Sequence, residues 1–233
     1  MKVPVSFAAQ LVVGKRLHYS SEAQTAIDAE QLKLCGARNT MNSMPRSTVA
    51  KPLGLWYDYP TMPCGGDGWR AFCHQFGGEW LEKVRWANEV EVDEAQIYKI
   101  ETEGDLMRFL LDWCSPAPPR WKMFVSTEKA REQVLERDPT LASLFDQVVQ
   151  EEKLYNAKIN FFLLKREYSG LEISPYVYDS PWRFASEWLN SWDCSSGVIW
   201  DEKAFVNFGD PQDTSEWPPP AEFTELGQHR TPF

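Results

Sequence analysis

Gly170-Leu171-Glu172-Ile173-Ser174 is the stretch on which the reading of this chain turns. Short, apolar and bounded by small residues, it predicts a strand. A carboxylate flanked by Leu and Ile on a strand costs several kcal/mol to bury unless it is paired or at work. Two other segments have the same form, Leu17-His18-Tyr19-Ser20 and, after a Lys51-Pro52 turn, Gly54-Leu55-Trp56-Tyr57-Asp58. Each offers polar or aromatic groups on an apolar strand, and the three are expected to converge on one cleft. Alternation along a strand sends Trp56 and Tyr57 to opposite faces, so only one of them can line that cleft. Trp56 is the preferred ring-stacking residue, with Tyr57 in reserve.

The chain has 233 residues, enough for one domain with a full core, and its composition of 43% hydrophobic and 25% charged residues is that of a folded protein. A net charge of −10 excludes a generic nucleic-acid binder, because Lys and Arg neutralising phosphates dominate such affinity. Lys15-Arg16, Lys51 and Arg183 remain candidates for a local basic groove. The five cysteines are widely spaced, without a Cys-x-x-Cys pair, and only three histidines accompany them. This disfavours a zinc site and fits a reducing, cytoplasmic setting. No signal peptide or membrane-spanning stretch is read.

Outward from the three strands, Ser20 and Ser21 predict caps for a helix over Glu22–Leu34 that stops at Gly36. Residues 38–48 predict a loop. Trp69, Phe72, Cys73, Phe76 and Trp80 recur at helical spacing and give one amphipathic helix. A strand is expected over Ala95–Glu101 and a helix over Glu103–Cys114. A helical insertion follows near 115–165, its inward residues including Leu141, Leu144, Phe145 and Val148. Pro181–Trp192 predicts a helix with Pro in its first turn. Ser196–Trp200 and Ala204–Phe208 predict paired strands joined by an acidic turn. Residues 1–209 are read as one domain and 210–233 as a Pro-rich acidic tail, docked by Trp217 and Phe223.

The ordered set resembles the ADP-ribosyltransferase fold, in the branch of diphtheria toxin and the poly-ADP-ribose polymerases. Leu17-His18-Tyr19-Ser20 is similar to the first strand, which opens the NAD pocket. Lys51-Pro52-Leu53-Gly54-Leu55-Trp56-Tyr57 and the helix with Trp69, Ala71 and Cys73 resemble the second signature. Gly170-Leu171-Glu172-Ile173 looks like the strand with the catalytic Glu. The resemblance covers about Gly14–Gly78 and Gly170–Phe208. It departs at Tyr19, where the family has Gly, and at Trp56, which stands at the family's Tyr. It implies an α+β split β-sandwich, two small twisted sheets forming a cleft with helices outside. It also implies NAD as substrate, with ADP-ribosyl transfer to a protein, a nucleic-acid base or a small molecule, or else NAD glycohydrolysis. On that reading Glu172 is catalytic with His18, while His18, Tyr19, Ser20 and Trp56 or Tyr57 bind NAD; no metal is implied.

Bland readings stand beside these. His18 is also read as a core-edge histidine satisfied by a carbonyl, Trp56 and Tyr57 as packing, and Glu172 as the ion-pair partner of Arg183 or Lys165. A catalytically inactive binding module on the same fold is the alternative to an enzyme. Cys194 beside Asp193 lacks the surroundings of a nucleophile, and Ser195-Ser196-Gly197 lacks a nucleophile elbow.

Overall fold

The computed structural model describes residues 16–42, 52–59, 68–116, 126–154, 157–174, 187–190, 192 and 194–217. In chain order the elements are β1 (Arg16–Ser20), α1 (Ala29–Asn42), β2 (Leu55–Asp58), α2 (Trp69–Phe76), α3 (Glu79–Glu82), β3 (Trp86–Val92) and β4 (Ile97–Ile100). Next come α4 (Glu103–Trp113), β5 (Cys114–Ser115), α5 (Thr127–Arg137), α6 (Ala142–Gln150), β6 (Lys158–Ile159), α7 (Phe161–Leu164) and β7 (Gly170–Ile173). The last are α8 (Glu187–Asn190), β8 (Ser196–Ile199), β9 (Phe205–Phe208) and β10 (Gln212–Asp213).

The class is α+β, as expected, but the strands do not form two small sheets. Eight of the ten make one curled sheet in the order β10-β3-β1-β2-β8-β7-β4, with β9 also on β3, and β5 and β6 form a separate two-stranded ribbon. Only β4 and β7 run parallel among the described pairs. The three strands that carry the polar groups therefore lie close together in the sheet, as β1, β2 and β7, with β8 between the last two.

Register assigns the faces. Leu17 opposes Asp58, Trp56 opposes Val198, and Leu171 opposes Val198 from the other side. One face thus carries Leu17, Tyr19, Trp56, Asp58, Ser196, Val198, Leu171 and Ile173, and the other Arg16, His18, Ser20, Tyr57, Gly197 and Glu172. The first face is covered by helices. Leu106, Phe109 and Leu110 of α4 pack there with Val134, Phe145 and Val148 of α5 and α6 on Leu171, Ile173 and Val198. Nearer β3, Cys73 of α2 and Val84 join Leu17, Tyr19 and Ala87. The second face closes on a smaller core in which Tyr57 and Ile199 meet Val90, Val92 and Ile97. That contact spans the sheet from β3 to β4 and is the physical content of its curl.

Local chemistry explains several departures from the expected boundaries. Asp28, not Ser20 or Ser21, starts α1: its carboxylate accepts the Gln31 N–H at 2.9 Å. The helix then runs through Gly36, where a Cβ would stand 3.0 Å from the Trp200 carbonyl. Gly36 permits close packing there and ends nothing. The aromatic helix breaks in two at Gly77 and Gly78, with φ of 62° and 56°. A capping box at Thr102 and Asp105 opens α4 where expected. The inserted helices α5 and α6 are bracketed by the ribbon β5–β6. The strands β8 and β9 do not pair with each other. A 3-10 turn over Glu202–Ala204 separates them, and β9 joins the far strand β3. The start of the tail is ordered: β10 pairs with β3, and the Trp217 ring receives the Arg70 guanidinium at 5.6 Å. Phe223, most of the expected helix 181–192, and residues 43–48 of the expected loop lie outside the described residues. No helix among the described residues is long and apolar enough to cross a membrane.

Candidate functional site

On the second strand face, Glu172 is 3% exposed and sits at the centre of a polar cluster. Tyr57 opposes Gly197 in register, and its ring lies across that glycine: a Cβ there would fall 2.2 Å from Tyr57 Cζ. The Tyr57 hydroxyl so crosses β8 and donates to Glu172 Oε2 at 2.8 Å. Arg16 reaches over from β1, its Nε donating to the same oxygen at 3.1 Å. Its other end pairs with Glu94 at 2.7 Å, and Lys99 pairs with Glu94 at 2.6 Å. The guanidinium rests 5.6 Å from the Tyr57 ring centre and 5.4 Å from that of Tyr59, whose hydroxyl also bonds Glu172.

The electrostatics follow from this packing. Burial pulls the Arg16 pKa down, but Glu94 and Glu172 outweigh it and hold the guanidinium more firmly protonated than usual. Burial, then the Glu172 charge, raise both phenols above the ordinary tyrosine value, so Tyr57 and Tyr59 remain hydrogen-bond donors. Glu172 is thus a paired carboxylate with donors fixed around it. Among the described residues its charge partner is Arg16, not Lys165; Arg183, the other partner expected, lies outside the described residues.

His18 and Ser20 share this face with Glu172, but two strands intervene between β1 and β7. His18 is half-buried, and its Nδ1–H donates to the Trp56 carbonyl at 2.7 Å, tying β1 to β2 next to the Leu17–Asp58 pair. Burial lowers its pKa against that bond and one to Gln24, so the ring is neutral at neutral pH. Here the expectation of a histidine satisfied by a carbonyl describes the geometry. Ser20 spends its hydroxyl on the Glu22 carbonyl at 2.7 Å.

Trp56 and Tyr19 do not join this cluster. Trp56 projects from the opposite face and packs edge-on against Trp192 at 4.5 Å, its Nε1–H donating to the Pro52 carbonyl at 3.2 Å. The preference for Trp56 as the ring beside Glu172 is therefore corrected. Alternation from Asp58 back through β2 leaves Tyr57 as the aromatic on the carboxylate's side. Tyr19 points with Trp56 into the helix-covered side.

That side holds a cavity of about 250 Å³ lined by Leu17, Tyr19, Trp56, Tyr57, Asp58, Trp69, Cys194 and Ser196. Asp58 is 1% exposed, and its Oδ2 accepts the Trp69 N–H that opens α2, with the Arg70 N–H adding a second bond. Its Oδ1 has no partner among the described residues, and neither does the Tyr19 hydroxyl. Burial raises the Asp58 carboxyl to about 7 despite those helix N–H groups and the Arg70 charge. An unsatisfied buried polar atom costs about 1–3 kcal/mol, and here two line one cavity.

Sequence reasoning missed Arg16, Tyr59 and Gly197 as companions of Glu172, and Asp58 altogether. Arg16 had stood out only as part of a basic pair. Gly197 had a signal, a glycine inside the apolar run Ser196-Gly197-Val198-Ile199, which marks close approach by another group. No family model, curated protein or solved structure matches the chain.

Proposed function

We propose that the chain is an NAD-cleaving ADP-ribosyltransferase or glycohydrolase whose working carboxylate is Glu172. The observation that supports this most is that Glu172, Tyr57, His18 and Ser20 emerge on one face of one sheet, from the strands the resemblance named. In the reaction the bond between ribose C1′ and the nicotinamide nitrogen breaks, and its electron pair returns to the pyridinium ring. Neutral nicotinamide leaves, and the ribosyl cation is captured by a nucleophile that gives up its proton. The acceptor is a protein side chain, a nucleic-acid base, a small molecule or water.

Glu172 stabilises the developing positive charge, as carboxylates do in glycoside cleavage. We assign the ribose 2′-hydroxyl to the Glu172 carboxylate, whose Oε2 already accepts from Arg16 and Tyr57. The Arg16 pair and the phenol hold the carboxylate oriented before the bond breaks. Tyr57 is the aromatic beside Glu172; it is 2% exposed, so its part is to hold the carboxylate, and a nicotinamide reaches that ring only after Arg16 moves aside. His18 and Ser20 stand where the adenosine side of NAD would lie; binding there exchanges the Gln24 and Glu22 bonds for bonds to ribose hydroxyls.

The saturation of Glu172 by Arg16, Tyr57 and Tyr59 supports a second reading, a binding module whose former catalytic carboxylate now braces the sheet. Thermal melting with NAD separates the two. A protein that binds NAD at one hundred times its Kd gains about 2.7 kcal/mol of stability. An unchanged melting temperature over a millimolar range of NAD removes the first reading.

A further inference from the structure

The helix-covered cavity opens on the other side of the sheet from Glu172, and the two sites share only Tyr57. Its construction is specific. β1 and β2 pair in register at Leu17 and Asp58, and Tyr19 and Trp56 both line the cavity beside that pair. Trp69, first residue of α2, is fixed above it because its own N–H is bound to Asp58 Oδ2. Tyr57, Cys194 and Ser196 complete the lining. The walls are indole, phenol and leucine side chains. The polar atoms without a partner among the described residues are Asp58 Oδ1 and the Tyr19 hydroxyl, both on side chains more than nine-tenths buried.

The chemistry of those two atoms selects a ligand. A carboxylate oxygen only accepts, and a phenol can donate or accept. A buried acidic oxygen excludes anions and favours a group with an N–H, most of all one in an amidine-like pair. Aromatic walls favour a flat ring. A volume of about 250 Å³ lies below the roughly 300–1,000 Å³ of pockets for drug-sized ligands, so one ring or two fused rings fill it.

We propose that this cavity is a second binding site, for a small planar nitrogen heterocycle that donates an N–H to Asp58 Oδ1 and meets the Tyr19 hydroxyl. Its occupancy acts on the fold through Asp58, which ties β2 to the start of α2. A ligand donating to Oδ1 binds the ionised carboxylate and therefore competes with the proton. The charged and titratable groups facing Asp58 are Tyr19 on β1, and Arg70 and Cys73 on α2; Cys194 lies beyond Tyr19. Of Asp58, Tyr19, Arg70 and Cys73, only Asp58 stands near neutrality, so the affinity of a ligand that stays neutral rises as pH climbs through about 7 and then levels off.

Isothermal titration of the full chain with 2-aminobenzimidazole and with 2-aminopyridine tests this at pH 8, with quinoline as a flat bicycle that has no N–H. Saturable one-to-one binding of an amino heterocycle, at least tenfold tighter than quinoline, is the expected result. Asp58→Asn keeps an acceptor for the Trp69 N–H, and its fold is checked by melting; it should bind the amino heterocycles at least tenfold more weakly. Tyr19→Phe removes only the unpartnered hydroxyl and should weaken them severalfold. No saturable binding of either amino heterocycle, or equal affinity in wild type and both variants, overturns the proposal. Tyr57 lines this cavity and also bonds Glu172, so the binding measurements are made without NAD, and nicotinamide release from NAD is assayed separately on the same variants.

Discussion

The Tyr57 ring lies across Gly197 and places its hydroxyl 2.8 Å from Glu172 Oε2, joining β2 to β7 over the backbone of β8. A side chain of any size at 197 would occupy the space of the phenol. The candidate site thus depends on a glycine that contributes no functional group of its own.

Gly197→Ala is accordingly expected to force the phenol off Glu172 and to destabilise the protein by about 1–3 kcal/mol, the usual cost of overfilling a packed interior. Urea denaturation measures it. The cost should shrink to a few tenths of a kcal/mol when the same substitution is made in a Tyr57→Ala background. Equal costs in the two backgrounds would show that the ring is not what Gly197 accommodates.

Arg16 is the counterion that makes a buried Glu172 tolerable. Arg16→Met leaves that carboxylate without its charge partner, and roughly 3–5 kcal/mol of stability should go with it. Combining Arg16→Met with Glu172→Gln should restore much of the loss, since Gln keeps an acceptor for Tyr57 and carries no charge. A double variant no more stable than Arg16→Met would argue against the pairing.

Asp58 gives the fold a pH dependence with a definite sign. Its carboxyl stands near 7 when folded and near 3.8 when unfolded, so between those values the native state holds more protons than the unfolded one. Its contribution is therefore fully present below about 4 and is lost as pH rises to about 7. Relative to Asp58→Asn, the wild type should lose on the order of a few kcal/mol across that window, measured by chemical denaturation at intervals from pH 4 to 8. A constant difference between the two proteins would contradict the burial of an uncompensated carboxyl.

What the sequence disclosed follows physical lines. The helix α4 was readable because Thr102 and Asp105 cap it and Leu106, Phe109 and Leu110 repeat at helical spacing. The strands β1, β2 and β7 were readable because short apolar runs carried isolated polar groups. β3 was not, since Ala87 and Asn88 are adjacent and both buried, which erases the alternation that marks a half-buried strand. The pairing of β8 with β9 looked local, yet β8 is taken by β2 and β7, a choice made by the whole sheet. The facing of Trp56 against Tyr57 depended on register, which no single segment encodes. Arg16 as the partner of Glu172 depended on it too, across 156 residues of chain.

Release of nicotinamide from NAD, compared in wild type and Glu172→Gln, tests the central claim most directly. Gln is nearly isosteric and retains an acceptor for Tyr57, so the fold, verified by its melting transition, should survive the change. Wild type should release nicotinamide, and the variant should do so at least ~100-fold more slowly, the scale of removing one preorganised charge-stabilising group. Equal rates, or no release by either protein, would show that Glu172 braces the sheet and performs no chemistry.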